Sequence, residues 1–375
     1  MSEHASKSHR KMTMAELAKL AEVDVSTVSR ALNDSPLVKE KTKRLILDIA
    51  AETGYAVNAS ARNLRRQSSE AIGIVIPLRP ESGQTISDPF YLEMVGAVSQ
   101  AASRNGYDLI VSIPREDETI AERRLLQTGK ADGLIVIGQA GMSQRLEELG
   151  PLGRKVVVWG GNAGHLNYTL VGSDNVEGGR LAGDHLLSIA RKRILFLGPG
   201  RLPEVQLRYN GFLKAHDERG VRWDDTLTLD IEFGAKNAFE EVLQFLDSGK
   251  KFDAIFAASD VLAMSALLAL NARGISVPDD VAVVGYDNIA QAGMATPSLT
   301  TIDQNIARGG ELMVEKLLAQ LAGETAKSEL KPTQLIVRES SGGSRGSTLL
   351  DQTPKSEKYF ALAENSAASP GPLAQ

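Results

Sequence analysis

The side chains best placed to do chemistry in this chain lie close together near its start. Ser26, Thr27, Ser29, Arg30 and Asn33 offer small hydroxyls, an amide and a guanidinium within one short segment. On a helix such groups hydrogen-bond the edges of DNA bases and the phosphate oxygens beside them. That chemistry requires a rigid element narrow enough to enter a major groove.

The surrounding residues predict such an element. Residues 13–33 read as two short helices joined by a tight turn. Thr13 and Glu16 have the spacing of a capping box, which satisfies free backbone N–H groups at a helix start. Leu17, Leu20 and Ala21 recur at helical spacing, and Ala18 is small enough for close packing. Asp24 is a good N-cap for a second helix from Val25 to about Leu32. Val28, Ala31 and Leu32 form its inward face, Val23 packs in the turn, and Ser26, Thr27, Ser29, Arg30 and Asn33 are left pointing outward. A third amphipathic helix, about Lys39 to Glu52, carries Leu45, Ile46, Ile49 and Ala50 and stops at Gly54. Three helices of this size form a small cluster whose second helix can enter a groove. Spacing alone also fits a helical hairpin packed on a larger protein.

Charge favours the first reading. The chain of 375 residues has a net charge of −5, unevenly spread. Residues 1–66 hold 12 Lys+Arg against 8 Asp+Glu, and the remainder 30 against 39, so a +4 head precedes a −9 body. Phosphate affinity therefore belongs to the head, and a charge this modest predicts two heads acting together. With 42% hydrophobic and 24% charged residues the composition is that of a soluble globular protein. There is no cysteine, which excludes disulfides and thiolate metal sites. Neither an apolar signal-peptide core nor a bilayer-spanning run is present, so a cytoplasmic, nucleoid-associated protein without a membrane partner is expected.

Between head and body runs the segment from Asn58 to Ser69, in which Asn58 can cap a helix of about two turns ending near Arg65. A helix so short is marginal in water, because nucleation costs more than its few bonds return. A flexible linker with solvated arginines is the alternative. From Ala71 onward, short β-branched runs alternate with helical segments. The expected strands are Ile72–Ile76, Asp108–Val111, Gly133–Ile137, Val156–Trp159, Ile194–Leu197, Ala254–Ala257 and Val281–Val284. The expected helices are Tyr91–Arg104, Thr119–Gln127, Gly178–Ala190, Arg208–Glu218, Ala238–Leu246, Val261–Arg273 and Ala307–Leu321. Apolar strands alternating with helices predict an α/β body of two doubly wound parallel-sheet subdomains. Ligands in such sheets bind beyond the carboxyl ends of the strands, here in the cleft between the subdomains.

The head also resembles the lactose/galactose-repressor (LacI/GalR) family of bacterial transcription regulators. The pattern is carried by Thr13, Leu17, Ala18, Ala21, Val23, Thr27, Val28, Ser29, Arg30, Leu32 and Asn33, and continues through Val38, Thr42, Gly54, Tyr55, Asn58, Ala61 and Leu64. Glu22 departs from it where the family usually has Gly in the turn, and Val57 where many members have Pro. The likeness extends to about residue 340, through Val171-Gly-Ser-Asp-Asn175 with Gly178, Gly179, Ala182, His185 and Leu186, and through Val284-Gly-Tyr-Asp-Asn288 with Pro297, Leu299, Thr300 and Thr301.

The resemblance implies a helix-turn-helix DNA-binding head at 1–56, with 1–11 a mobile leader, and a hinge helix or linker at 57–69. It implies a periplasmic-binding-protein-like effector-binding and dimerisation body at 70–345, and 346–375 reads as a disordered tail. The N-subdomain would take about 70–170 and 301–329, the C-subdomain about 171–300 and 330–345, with chain crossings near 170, 300 and 330. Ser26, Arg30 and Val25 would read base edges, while Thr13, Thr27, Ser29 and Asn33 would hold phosphates. Asn58 would start the hinge helix, Arg62 would neutralise phosphate, and Leu64 would wedge between base steps in the minor groove. Positions matching the family's pocket hold Phe90, Trp159, Glu204, Arg208, Phe233, Ser259, Asp260 and Asp287. There the arginine would donate, the aspartates would accept hydroxyl hydrogens, and the aromatics would cover ring faces. Gly160 lacks the acidic side chain some members carry there.

The expected function is that of a homodimeric regulator, a repressor, whose affinity for double-stranded operator DNA is set by a small-molecule effector, a sugar. A plain sugar-binding protein would account for residues 71–340 but leave the head unused. An enzyme is not expected, since no P-loop, no G-x-G-x-x-G after a strand and no G-x-S-x-G occurs. No cofactor or metal is expected either, and His165, His185 and His216 lack metal-ligand spacing.

Overall fold

The structure is a computed structural model that describes residues 12–32, 34–53, 55, 68–78, 82–114, 121–139, 155–161 and 167–343. It divides into two compact units, residues 1–69 and 70–375. Gly54, Asn33 and the hinge residues Asn58, Arg62 and Leu64 lie outside the described residues.

In the first unit, α1 (Met14–Leu20), α2 (Val25–Leu32) and α3 (Glu40–Glu52) close on one core of Leu17, Ala18, Ala21, Val28, Ala31, Ile46 and Ala50. The capping box forms: Glu16 N donates to Thr13 Oγ1, and Thr13 N donates to Glu16 Oε2 at 2.8 Å. Two expected core positions differ. Leu20 is 54% exposed, because Leu17, Ala18 and Ala21 share the inward arc and Leu20 falls off its edge. Leu45 is likewise exposed, while Ile46 and Ala50 on the same helix are buried. Glu22, in the turn, takes φ 54°, the left-handed conformation that favours glycine.

The second unit is two lobes, each a twisted six-stranded sheet flanked by helices. The first contains β1 (Ala71–Val75), α4 (Pro89–Arg104), β2 (Asp108–Ser112), α5 (Ala121–Gln127), β3 (Gly133–Ile137), β4 (Val156–Trp159) and β5 (Thr169–Ser173). The chain then enters the second lobe with α6 (Asn175–Ser188), β6 (Ile194–Leu197), α7 (Pro203–Glu218), β7 (Thr228–Leu229) and α8 (Ala235–Asp247). That lobe continues with β8 (Ala254–Ala257), α9 (Asp260–Ala272), β9 (Ala282–Asp287), α10 (Ala290–Met294) and β10 (Thr300–Asp303). Helix α11 (Ile306–Leu321) and β11 (Glu329–Lys331) return to the first lobe, and β12 (Gln334–Ile336) to the second.

The sheet orders are β11-β5-β4-β3-β1-β2 and β12-β10-β9-β8-β6-β7, parallel throughout except for the β10–β12 pair. Strands β1, β3, β4, β6, β8 and β9 are buried along their whole length. This explains their unbroken apolar runs, since helices cover both faces of a parallel sheet. All parallel strands point their carboxyl ends the same way within a lobe, and those ends carry the loops that face the other lobe.

Glycines set the closest helix contact in the second lobe. A Cβ on Gly179 of α6 would fall on the carbonyl oxygen of Arg208, with Arg208 C and Cα at 2.7 and 2.9 Å. A Cβ on Gly211 of α7 would in turn fall on the Val176 carbonyl, with Arg180 N at 2.8 Å. Backbone therefore lies on backbone where α6 and α7 cross, and this crossing fixes the position of Arg208.

Candidate functional site

The loops after β1, β3 and β4 of one lobe face those after β6, β8, β9 and β10 of the other, leaving a cleft between them. Phe90 and Tyr91 enter from the start of α4, packed edge to face at 5.5 Å between ring centroids. Asp88 caps that helix, its Oδ1 accepting from Phe90 N at 3.0 Å, and it also lines the cleft. Trp159 ends β4 and is held from behind by Gly309, where a Cβ would collide with its ring. Phe233 and Ser259 close the second lobe's side.

Arg208 is the cation among the described residues that line the cleft, and its partners hold it in one position. It is buried; its Nε donates to Asn175 Oδ1 at 2.8 Å and its Nη1 to the Ala258 carbonyl. The guanidinium lies over the Tyr286 ring, 3.8 Å from its centroid. Asp287 stands opposite with Oδ1 3.9 Å from Arg208 Nη1, too long for a direct hydrogen bond. Its backbone takes φ 122°, a costly conformation for a non-glycine residue. Its Oδ1 accepts from Gln304 Nε2 at 2.5 Å. Both partners are thus fixed by other groups, with a gap between them that a hydroxyl can bridge by donating to Asp287 and accepting from Arg208.

Glu204, at the start of α7, reaches the same cleft, and its Oε1 accepts from Gln139 N across from the first lobe at 3.2 Å. Burial raises the carboxyls of Glu204, Asp88 and Asp287 above their ordinary values, most strongly for Asp287, where Arg208 pulls the other way. Loss of water disfavours their charged forms, so these carboxyls rely on hydrogen-bond donors and the Arg208 cation to ionise, and a further anion beside them would push them higher still.

Seven of the residues expected from sequence therefore surround one cleft: Phe90, Trp159, Glu204, Arg208, Phe233, Ser259 and Asp287. Asp260 does not join them. It is wholly buried beneath the cleft, taking Thr301 Oγ1 and Ile289 N as donors, and serves the fold. The N-cap of α9 is Ser259, whose side chain accepts from Leu262 N. The sequence reading missed Asp88, Gln84, Gln139 and Gln304, which also line the cleft. Gln139 and Gln304 lie just past the ends of β3 and β10, the positions where a parallel sheet presents ligand-facing groups.

In the head, Val25, Ser26 and Arg30 are exposed on α2, as is Thr13 at the start of α1, and Thr27 is half-buried. Ser29 departs from its outward expectation: it is 8% exposed. Helix α2 packs against both α1 and α3, which widens its buried arc beyond the Val28–Ala31 face. Among the described residues no group of three or more His, Cys, Asp or Glu side chains could hold a metal, and no helix is long and apolar enough to cross a membrane.

Comparison with known proteins fits both units. Residues 13–58 match the model for bacterial regulatory proteins of the lacI family, and residues 184–341 match that of a periplasmic binding protein-like domain. The ribose operon repressor of Halalkalibacterium halodurans is 32% identical over 346 residues, covering 89% of this chain and 98% of its own length. The HTH-type transcriptional regulator DegA of Bacillus subtilis is 31% identical over 333 residues, covering 87% and 95%. Among solved structures, the complex of the transcriptional regulator CelR with cellobiose matches with a TM-score of 0.64 and 29% identity, over 88% of this chain and all of that one. The operator-bound lac repressor dimer shares the fold, with a TM-score of 0.73 at 23% identity over 88% of this chain and 99% of that one. A helical head of this pattern on a two-lobed body, matched nearly end to end by such regulators, makes the chain a member of the lacI family of bacterial regulatory proteins, a metabolite-controlled DNA-binding transcription regulator.

Proposed function

We infer that this regulator is a homodimeric repressor that binds operator DNA through α2 and answers to a neutral sugar held between the lobes. The Arg208–Asp287 gap carries the effector reading: a guanidinium and a carboxylate, each committed elsewhere, stand one hydroxyl apart. Phe90, Trp159 and Phe233 supply apolar faces for a pyranose or furanose ring. Three carboxyls against one arginine, among the described lining residues, favour an uncharged polyol over a phosphosugar. The carboxyls serve as hydroxyl acceptors, and no turnover of the sugar is expected.

In the head, Ser26, Arg30 and Val25 take the base-reading role, and Thr13, Thr27 and Asn33 the phosphate role. Asn58, Arg62 and Leu64 are proposed as hinge contacts to the minor groove. The protein is proposed to act in the cytoplasm, on nucleoid DNA. A thermal-shift screen of neutral sugars, phosphosugars and nucleobases tests the effector reading, because a tight ligand raises the melting point by mass action. Neutral sugars should shift the wild type and not Arg208→Ala. A response confined to phosphosugars or nucleobases would overturn the reading. Arg30→Ala should lose gel-shift binding to the promoter region while keeping the sugar response, and loss of both in a folded protein would refute the division of labour.

A further inference from the structure

The two lobes touch at places where one side has no side chain. Gly161 follows β4, and a Cβ there would stand 2.9 Å from Asn175 Nδ2, 3.0 Å from Leu207 Cδ1 and 3.2 Å from Glu204 Cγ, all on the second lobe. At the other side of the mouth, a Cβ on Gly234 would stand 3.0 Å from the Ser82 carbonyl oxygen and 3.3 Å from Gly83 Cα. Gly234 has φ −63° and Gly161 is not among the positive-φ residues, so neither backbone conformation calls for glycine. What calls for it is the close approach of the opposite lobe.

Gln139 completes the contact. Its side chain is locked within the first lobe: Nε2 donates to Tyr168 OH and Oε1 accepts from Gly161 N, both at 3.0 Å. It occupies the space a side chain at Gly160 would need, with Cδ and Oε1 2.5 Å from an ideal Cβ there. Its backbone N–H, held rigid by these bonds, donates across the cleft to Glu204 Oε1. The Glu204 carboxylate also accepts from its own backbone N–H and lines the cleft.

We propose that Gln139 and Gly161 are positioning residues that seat Glu204 as the lobes close. One carboxylate oxygen then anchors on the first lobe, and the other is presented to the effector. Glu204 thereby becomes a fully formed effector ligand only in the closed cleft, which ties affinity for the sugar to closure. This rests on the cleft being the effector site, but its test needs no effector.

The chain has no cysteine, so paired cysteines report closure without competing thiols. A Cβ on Gly83 would lie 3.7 Å from Asn237 Nδ2 across the mouth, so cross-linking of Gly83→Cys with Asn237→Cys reports the approach of the lobes, and the strain that φ 64° at position 83 puts on a cysteine is common to the parent pair and every variant compared. In the full-length protein, under mild oxidation, this pair should cross-link. Adding Gly161→Val should slow the reaction about tenfold, the effect of overpacking a tight contact at the low end of its cost. Adding Glu204→Met, which fills the same space without an acceptor, should slow it about fivefold, the worth of one hydrogen bond. Glu204→Gln, which keeps an acceptor for the Gln139 N–H, should restore the parental rate. Circular dichroism checks the fold of each variant, and Gly161→Ala replaces Gly161→Val if the latter does not fold. A parent pair that never cross-links, a Gly161 variant at the parental rate, or equal rates for Glu204→Met and Glu204→Gln would each overturn the proposal. A flat ligand screen alongside the expected cross-linking would instead count against the effector reading alone.

Discussion

The crossing of α6 and α7 makes a prediction opposite in sign to what helix propensity alone gives. Glycine inside a helix costs about 0.5–1 kcal/mol relative to alanine, so replacing it ordinarily stabilises. Gly96 in α4 is such a position: a Cβ there meets nothing within 4 Å. Gly96→Ala should raise stability by about 0.5–1 kcal/mol. Gly179→Ala should do the reverse. Its new methyl lies 2.7 Å from the Arg208 carbonyl carbon, whereas ordinary contact begins at 3.4 Å, so the helices must part by the difference. The obstacle is backbone and cannot rotate away, so a cost of about 1–3 kcal/mol outweighs the gain in propensity. Trp223 packs against Phe212 of α7 with centroids 4.8 Å apart, so its fluorescence during urea unfolding follows the affected element. Parting the helices also draws Arg208 from Asn175, so the sugar-induced thermal shift should shrink with stability. If Gly179→Ala proves as stable as wild type while Gly96→Ala behaves as expected, backbone contact does not set this crossing.

Two further outcomes are expected. Glu22→Gly relieves a left-handed glutamate and should stabilise the head by about 1 kcal/mol, or about fivefold in amide-exchange protection across α1–α3; unchanged protection would show the turn to be unstrained. Burial pushes the Asp260 carboxyl up to about 7 from 3.8, against opposing hydrogen bonds from Thr301 and Ile289. The folded protein thus holds this proton more tightly than the unfolded chain does. The contribution is fully present below about pH 4 and is lost as pH rises to about 7. Asp260→Asn mimics the protonated acid, so urea midpoints should show wild type losing ground to the variant across that window; a gap that is constant, or that moves the other way, would refute the assignment.

How much could be read in the sequence followed from how unbroken the apolar run of each segment is. Strands β3, β4, β6 and β8 match their expected limits because each is an unbroken apolar run packed on both faces. Strands β5 and β10 were not expected, because Thr, Gly, Ser and Asp interrupt their apolar runs although both are largely buried, and neither were β7, β11 and β12, which are two or three residues long and partly polar. Helices α4, α6 and α7 begin earlier than apolar spacing suggests, at Pro89, Asn175 and Pro203, because proline and capping residues rather than core residues open them. In the cleft, Arg208 and Asp287 stood out through the family pattern. Gln139 and Gln304 did not, since an uncharged amide leaves no mark on charge or periodicity. Asp260 misled because it neighbours a cleft residue, Ser259, yet the helix turns the two side chains to different surroundings.

The order of the last strands bears on how the protein is made. Strand β11 borders one sheet and β12 the other, and only two residues separate them along the chain. As the polypeptide leaves the ribosome, most of the first lobe emerges early yet waits through the whole second lobe for α11 and its final strand. The second lobe gains its own border strand only moments later. Until residues 329–336 are free, both sheets keep an uncovered edge open to wrong partners. A message cut short just before this point would yield a chain with two nearly finished lobes and neither one sealed.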